Sequence, residues 1–156
     1  MKIEQRMESI WDYFRHLISA QVGMTAERFR MDTIAQNIAN INTTRTEDGT
    51  PYRRKIVTFA EKTETPFSQY YETARARAVG NGVKVTSVKE DDETEMRMVY
   101  DPSHPDADEN GYVTYPNVNT VTEMTNLIDA TRAYEANTTA FDATKSMVQA
   151  ALNISK

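Results

Sequence analysis

No cysteine occurs among the 156 residues. That excludes disulfides, thiolate nucleophiles and cysteine-based metal sites, and it leaves the redox compartment open. Tryptophan occurs once, and glycine and proline five times each. Long stretches therefore run without a helix breaker. No window approaches the ~18 consecutive apolar residues of a membrane span. Hydrophobic residues make up 39% of the chain, below the ~45–50% of an ordinary domain, so the core is modest. Basic charge is short as well. A net charge of −5 argues against a nucleic-acid or general phosphate surface. Arg75, Arg77 and Lys84 make a small exception, read here as a solvated face. The opening MKIEQRMESIWDYFRHLISA carries charges throughout and lacks the unbroken apolar core of a secretory signal peptide.

Seven-residue periodicity fills both ends of the chain. Ile3, Ile10, Leu17, Met24, Met31 and Ile38 recur at seven, with Met7, Phe14, Ile34, Ala35 and Ile41 beside them. At the other end Leu127, Tyr134, Phe141 and Val148 form one row. Met124, Thr131, Thr138, Lys145 and Leu152 form a second. Together the last two rows alternate by three and four, the a/d spacing of a coiled-coil seam. Thr131, Thr138 and Lys145 make that seam poor. Gly23 is the weak point of the first stretch and predicts two helices there, near 2–21 and 24–40, with Thr25 capping the second.

Between the ends the pattern changes. Thr46 to Pro51 reads as a loop with a tight turn. Tyr52–Phe59, the Val83–Val88 run, Met96–Tyr100 and Tyr112–Tyr115 read as strands. Pro66 and Gly80-Asn81-Gly82 bracket a loop without a clean period. The expected fold is α+β: long N- and C-terminal helices packed as an antiparallel coiled coil, with a small irregular β-rich central insert. The expected segments are 1–44 and 118–156 for the helical domain and 45–117 for the insert.

Catalytic and metal chemistry find little support. Asp106-Ala-Asp108-Glu-Asn110-Gly111 matches the start of an EF-hand loop, but position twelve is Asn117, not the bidentate Glu that calcium needs. His104 sits near Asp101, Asp106 and Asp108, yet His16 is the only other histidine. A turn residue making a local hydrogen bond is the expectation for His104. No nucleophile elbow, phosphate loop or dinucleotide turn occurs. Trp11, Tyr13 and Phe14 could mark a membrane-surface helix, but Glu4, Glu8 and Asp12 put acid where such helices carry Lys and Arg. The chain is expected to be no enzyme, with no cofactor, no metal and no small-molecule substrate. The alternative is a soluble metal- or ligand-binding module using loop 101–111. The outward faces of the terminal helices, rich in Ala, Thr and Asn, point instead to coverage by other subunits.

Residues 19–32 (SAQVGMTAERFRMD) and 34–44 (IAQNIANINTT) resemble the N-terminal signature of the flagellar rod and hook axial proteins. Residues 48–55 (DGTPYRRK), 100–107 (YDPSHPDA), 111–119 (GYVTYPNVN), 123–137 and 145–147 resemble the proximal-rod branch of that family. The resemblance spans 18–154, and Met1–Leu17 form a lead that departs from it. It implies a structural subunit whose terminal helices pack in the inner layer of a helical tube and transmit torque, with the β part further out. It implies self-association and contact with proximal and distal rod subunits and with basal-body export or adaptor proteins. It also implies export through the flagellar type III apparatus without a cleavable signal. On that reading the assembly residues are Met24, Met31, Ile34, Ile38, Ile41, Leu127, Ile128, Tyr134, Phe141 and Val148, all in packing roles.

Overall fold

The structure, a computed structural model, describes residues 2–62 and 82–154. The loop expected between Pro66 and Gly80 and the Arg75, Arg77 patch lie outside the described residues, as do the side chains of Trp11, Tyr13 and Phe14. The fold is α+β. Helix α1 (Lys2–Ala39) is followed by strands β1 (Lys55–Glu61), β2 (Val83–Glu90), β3 (Arg97–Tyr100) and β4 (Tyr112–Tyr115), then by helix α2 (Thr120–Ile154). β1 pairs with β2, and β3 pairs antiparallel with β4.

No proline falls within either helix, and α2 has no glycine. The start of α2 is set by Asn119, whose Oδ1 accepts the Val121 and Thr122 amides at 2.9 and 3.2 Å. That is an N-cap, and it places the helix two residues beyond the expected Val118. α1 is a single helix, not two. Gly23 does not break it, because the glycine serves a close approach: a Cβ there would sit 3.0 Å from the Asn137 side-chain amide. The local cost of glycine is about 1 kcal/mol, and the contact it permits outweighs it. Nor does Thr25 cap anything. Its hydroxyl donates to Gln21 O one turn back, at 3.0 Å.

The chain forms two compact units. One gathers Phe29–Thr58 with Ser87–Ala130, and the other gathers Met1–Arg28, Phe59–Thr86 and Thr131–Lys156. Buried residues include Ala20, Ala26, Ile34, Val113 and Ala130, but also Thr33, Asn37, Asp91, Asn117, Glu123 and Thr144. Among the described residues the buried polar groups thus match the apolar ones. Such an interior holds together only if its hydrogen bonds are made.

The inward row of α2 differs from the periodicity reading. Glu123, Ala130 and Thr144 are buried and Asn137 is half-buried, a seven-residue row lying one position before the expected one. Met124 and Leu152, at 54% and 65% exposure, face outward, as does Lys145. The Leu127, Tyr134, Phe141, Val148 row is half-buried. Small side chains permit close helix contact. The buried hydroxyls need no partner from across it, because Thr144 donates to Ala140 O at 2.9 Å and Thr33 to Phe29 O at 3.0 Å. Counting apolar residues picks the wrong row because the real contact is not made of large apolar groups.

This geometry fixes an outcome. Met124→Lys should leave the denaturation midpoint of the free protein within about 0.5 kcal/mol of wild type. Ala130→Leu should cost about 1–3 kcal/mol by overpacking. The reverse order in urea titrations would restore the Met124 row as the inward one.

Candidate functional site

The unit formed by Phe29–Thr58 and Ser87–Ala130 is built around Asn37. This residue sits in the last turn of α1, only 1% exposed. Its side chain makes every bond available to it. Oδ1 accepts the Tyr52 hydroxyl and the Lys55 amide, each at 2.9 Å. Nδ2 donates to Lys55 O and to Glu123 Oε2, again at 2.9 Å. By engaging both the N–H and the C=O of Lys55, the amide imitates a neighbouring strand at the start of β1.

Glu123 is equally buried, at 1% exposure, one turn into α2. A lone carboxylate there would carry a desolvation penalty of several kcal/mol. Arg54 offsets it. Its Nε and Nη2 reach Glu123 Oε1 at 2.9 and 2.7 Å, and Asn126 Nδ2 adds a bond at 3.3 Å. The Arg54 backbone is tied in turn: its N–H donates to Asn117 Oδ1 at 2.8 Å, and its C=O accepts the Asp91 amide at 2.8 Å. Asn117 Nδ2 then donates to Asp91 O at 2.8 Å and Thr94 O at 3.2 Å. The result is a clasp linking the end of α1, the start of α2, the entry to β1 and the turn after β2.

Electrostatics follow from these contacts. The Thr94 amide and hydroxyl hold the Asp91 carboxyl below its ordinary 3.8, with Arg54 adding a smaller pull. Burial, then Glu90 and Glu123, push the Tyr52 phenol above 10.0, so it stays protonated as the Asn37 donor.

Loop 101–111 spends most of its polar groups on itself, and Asp106 reaches outside it. Asp101 Oδ1 accepts the Ser103 hydroxyl and amide at 2.6 and 3.1 Å, which holds its carboxyl below the usual range. Asp108 Oδ1 accepts the Asn110 and Tyr112 amides at 2.9 and 2.8 Å. Asp106 accepts the Thr44 hydroxyl at 2.8 Å, with Arg45 at 3.7 Å. His104 Nδ1 accepts the Asp106 amide at 3.1 Å, a turn contact as its setting suggested. A pocket of about 340 Å³ opens here between Arg45, Pro51, Pro105, Asp106 and Tyr112. Among the described residues no group of three or more His, Asp or Glu is arranged to hold a metal. No helix among them is long and apolar enough to cross a membrane.

Of the packing residues named from sequence, Ile34 is buried at 5% exposure and Ile128 is 51% exposed. Met24, Met31, Ile38, Ile41, Leu127, Tyr134, Phe141 and Val148 are half-buried. Met24 Sδ receives the Thr138 hydroxyl at 3.3 Å, and both lie in the unit that contains Phe141 and Val148. Met31, Ile34, Ile38, Ile41, Leu127 and Ile128 belong to the clasp's unit. Periodicity missed the clasp itself. Its one sequence signal is a polar or charged residue (Asn37, Glu123) at a helical position flanked by core residues.

The clasp predicts two outcomes. Glu123→Gln, though equal in size, sets an NH₂ group against either Arg54 or Asn37. It should cost about 3 kcal/mol in urea or thermal unfolding. Acid acts through Asp91. Its folded carboxyl lies below the unfolded 3.8, so its contribution is complete above that value and is lost as pH falls through the folded value. Asp91→Asn should therefore flatten the acid limb of a stability–pH curve.

Comparison with known proteins fits these residues. Residues 17–45 match the family described as flagella basal body rod protein, and residues 109–154 match the flagellar basal body rod FlgEFG protein C-terminal family. Flagellar basal-body rod protein FlgC of Borreliella burgdorferi is 44% identical over 147 residues, covering 90% of this chain and 96% of the relative. FlgC of Bacillus subtilis is 44% identical over 149 residues, covering 92% and 98%. FlgC of Salmonella typhimurium is 39% identical over 131 residues, covering 84% and 89%. These likenesses support a structural, non-enzymatic role in the bacterial flagellum, and they give no support to a separate binding module on loop 101–111. The chain belongs to the FlgC family of flagellar basal-body rod proteins.

Proposed function

We propose that this chain is a subunit of the proximal rod, laid into a helical array through its terminal helices so that torque passes along the tube. The observation that carries the reading is the outward surface of the helices. On α2, Val121, Met124 and Ile128 fall three and four apart on one face and are 74%, 54% and 51% exposed. Met147 and Leu152 are similarly open, and α1 adds Ile18 and Phe29. Isolated apolar groups on a surface are ordinary, whereas a stripe at helical spacing is suited to a partner. An antiparallel helix pair with coiled-coil packing fits the contacts. Gly23 of α1 meets Asn137 in one unit, and the later Asn37 meets the earlier Glu123 in the other.

The proposed assembly residues are the ten named from sequence. Half-buried Phe141, Tyr134, Leu127 and Val148 keep one side for the subunit and one for its neighbours. Ile128 faces outward altogether. Ile34 is already covered within the subunit and supports the helix that presents the others. The proposed partners are further copies, proximal and distal rod subunits, and basal-body export or adaptor proteins. Delivery runs through the flagellar type III apparatus, which suits a chain free of cysteine.

Phe141→Asp tests the array. Losing the aromatic contact and desolvating a charge should cost about 3 kcal/mol at each subunit contact, roughly a hundredfold in association. Rod incorporation of the variant should fail while NMR signals of β3 and β4 stay in place. Normal incorporation would overturn the role of this face.

A further inference from the structure

β3 and β4 form a two-stranded hairpin, so β3 is one of its edges. All residues of β3 are exposed, whereas β4 carries Val113, which is buried. The ladder sets Arg97 opposite Tyr115 and Val99 opposite Val113, and one step beyond it the Asp101 amide donates to Gly111 O at 2.9 Å. Bonded and non-bonded positions alternate along an antiparallel pair. Arg97, Val99 and Asp101 thus direct N–H and C=O toward β4. Met98 and Tyr100 aim theirs at the open edge. Their side chains share one face, 61% and 64% exposed, with Tyr112 edge-on to Tyr100 at 5.3 Å. Among the described residues no strand pairs with this apolar edge, and such an edge invites another strand.

The edge is complementary to itself. Setting a second β3 antiparallel, with Val99 opposite its counterpart, places Met98 and Tyr100 in bonded positions across from each other. The sulfur then lies beside a ring, a favourable contact. Arg97 comes opposite the second copy's Asp101, a cross-strand pair of opposite charge. The neighbouring registers fail. A shift toward the N-terminus sets Glu95 against Asp101, acid on acid. A shift the other way sets Met98 against Pro102, which has no N–H to give.

We propose that free subunits pair through β3 as an antiparallel, two-fold dimer centred on Val99. Pairing turns a two-stranded ribbon, marginal by itself, into four strands and covers its sticky edge. The contact is isologous and closes at two copies. It therefore goes beyond the array-forming helices and belongs to the subunit before incorporation.

The absence of native cysteine makes the test clean. On the two-fold axis the Val99 Cα atoms lie about 4.5 Å apart, within disulfide reach. Full-length Val99→Cys under mild oxidation should form covalent dimer at least tenfold faster than exposed Glu47→Cys. Adding Tyr100→Lys should abolish the difference. Equal rates for Val99→Cys and Glu47→Cys would overturn the proposal. Should Val99→Cys fold poorly, an equimolar mixture of Met98→Cys and Tyr100→Cys replaces it. The mixed disulfide should exceed the two homodimers together about tenfold, and the even split of random collision would overturn the proposal. Excess homodimer of either variant would indicate a slipped or parallel pairing and overturn the register centred on Val99. These readouts use free protein, so they stand apart from the Phe141→Asp result.

Discussion

A buried Asn–Glu contact governs the clasp unit. Asn37 and Glu123 lie 1% exposed, joined at 2.9 Å, where neither is tolerable alone. An unpaired amide in such a place costs about 1–3 kcal/mol, and an unpaired carboxylate more. The arrangement is therefore close to all or none. Asn37 is saturated only if Tyr52, Lys55 and Glu123 are all in position, and Glu123 is tolerable only if Arg54 is. Because Arg54 is fixed by Asn117 and Asp91 through its backbone, a fault at any point leaves several buried groups unsatisfied. The network therefore specifies one arrangement of helix ends and strands more than it adds net stability.

The other unit solves a related problem with smaller means. Its helices meet through Gly23 and Asn137, with Thr138 and Met24 alongside. Threonine and asparagine could leave orphaned groups in such a contact. They limit it by bonding within their own helix: Asn137 to Ala133 O and Thr144 to Ala140 O, while Thr138 shares its one hydroxyl proton between Tyr134 O and Met24 Sδ. The surface facing the neighbouring helix then makes few polar demands. It packs closely but buries little apolar area per residue, so the driving force per residue is small. Met147 and Leu152 of this unit stay exposed on α2.

Much of this architecture could be read from the sequence because it obeys simple periods. Long runs without proline define both helices. Strand β4 begins and ends at the residues that alternation selects, Tyr112 and Tyr115. The failures share a cause. Treating Gly23 as a breaker and Met124 as inward, and passing over Glu123, follows average residue preferences, and each preference loses to one specific contact. Close approach wins at Gly23, hydrogen-bond satisfaction wins at Glu123, and small-residue packing turns Met124 out. The family resemblance captured what periodicity did not. The stretches that carry it supply the clasp: Asn37 from 34–44, Arg54 from 48–55, Asn117 from 111–119, Glu123 from 123–137.

Two of the exposed apolar surfaces differ in symmetry. The stripe of Val121, Met124 and Ile128 is wholly apolar and carries no opposite charges to fix a register against a second copy. In the proposed array a neighbour covers it by a different surface, and a heterologous contact of that kind repeats into a helix of subunits. The β3 edge does match itself: Met98 with Tyr100, Arg97 with Asp101. A contact of that kind stops at two. Closed pairing and open growth thus use separate residues, and only the open one can build a tube. The edge pair must also part where the array requires its β3 face. A ladder four residues long, ended by Pro102, is short enough to let it do so.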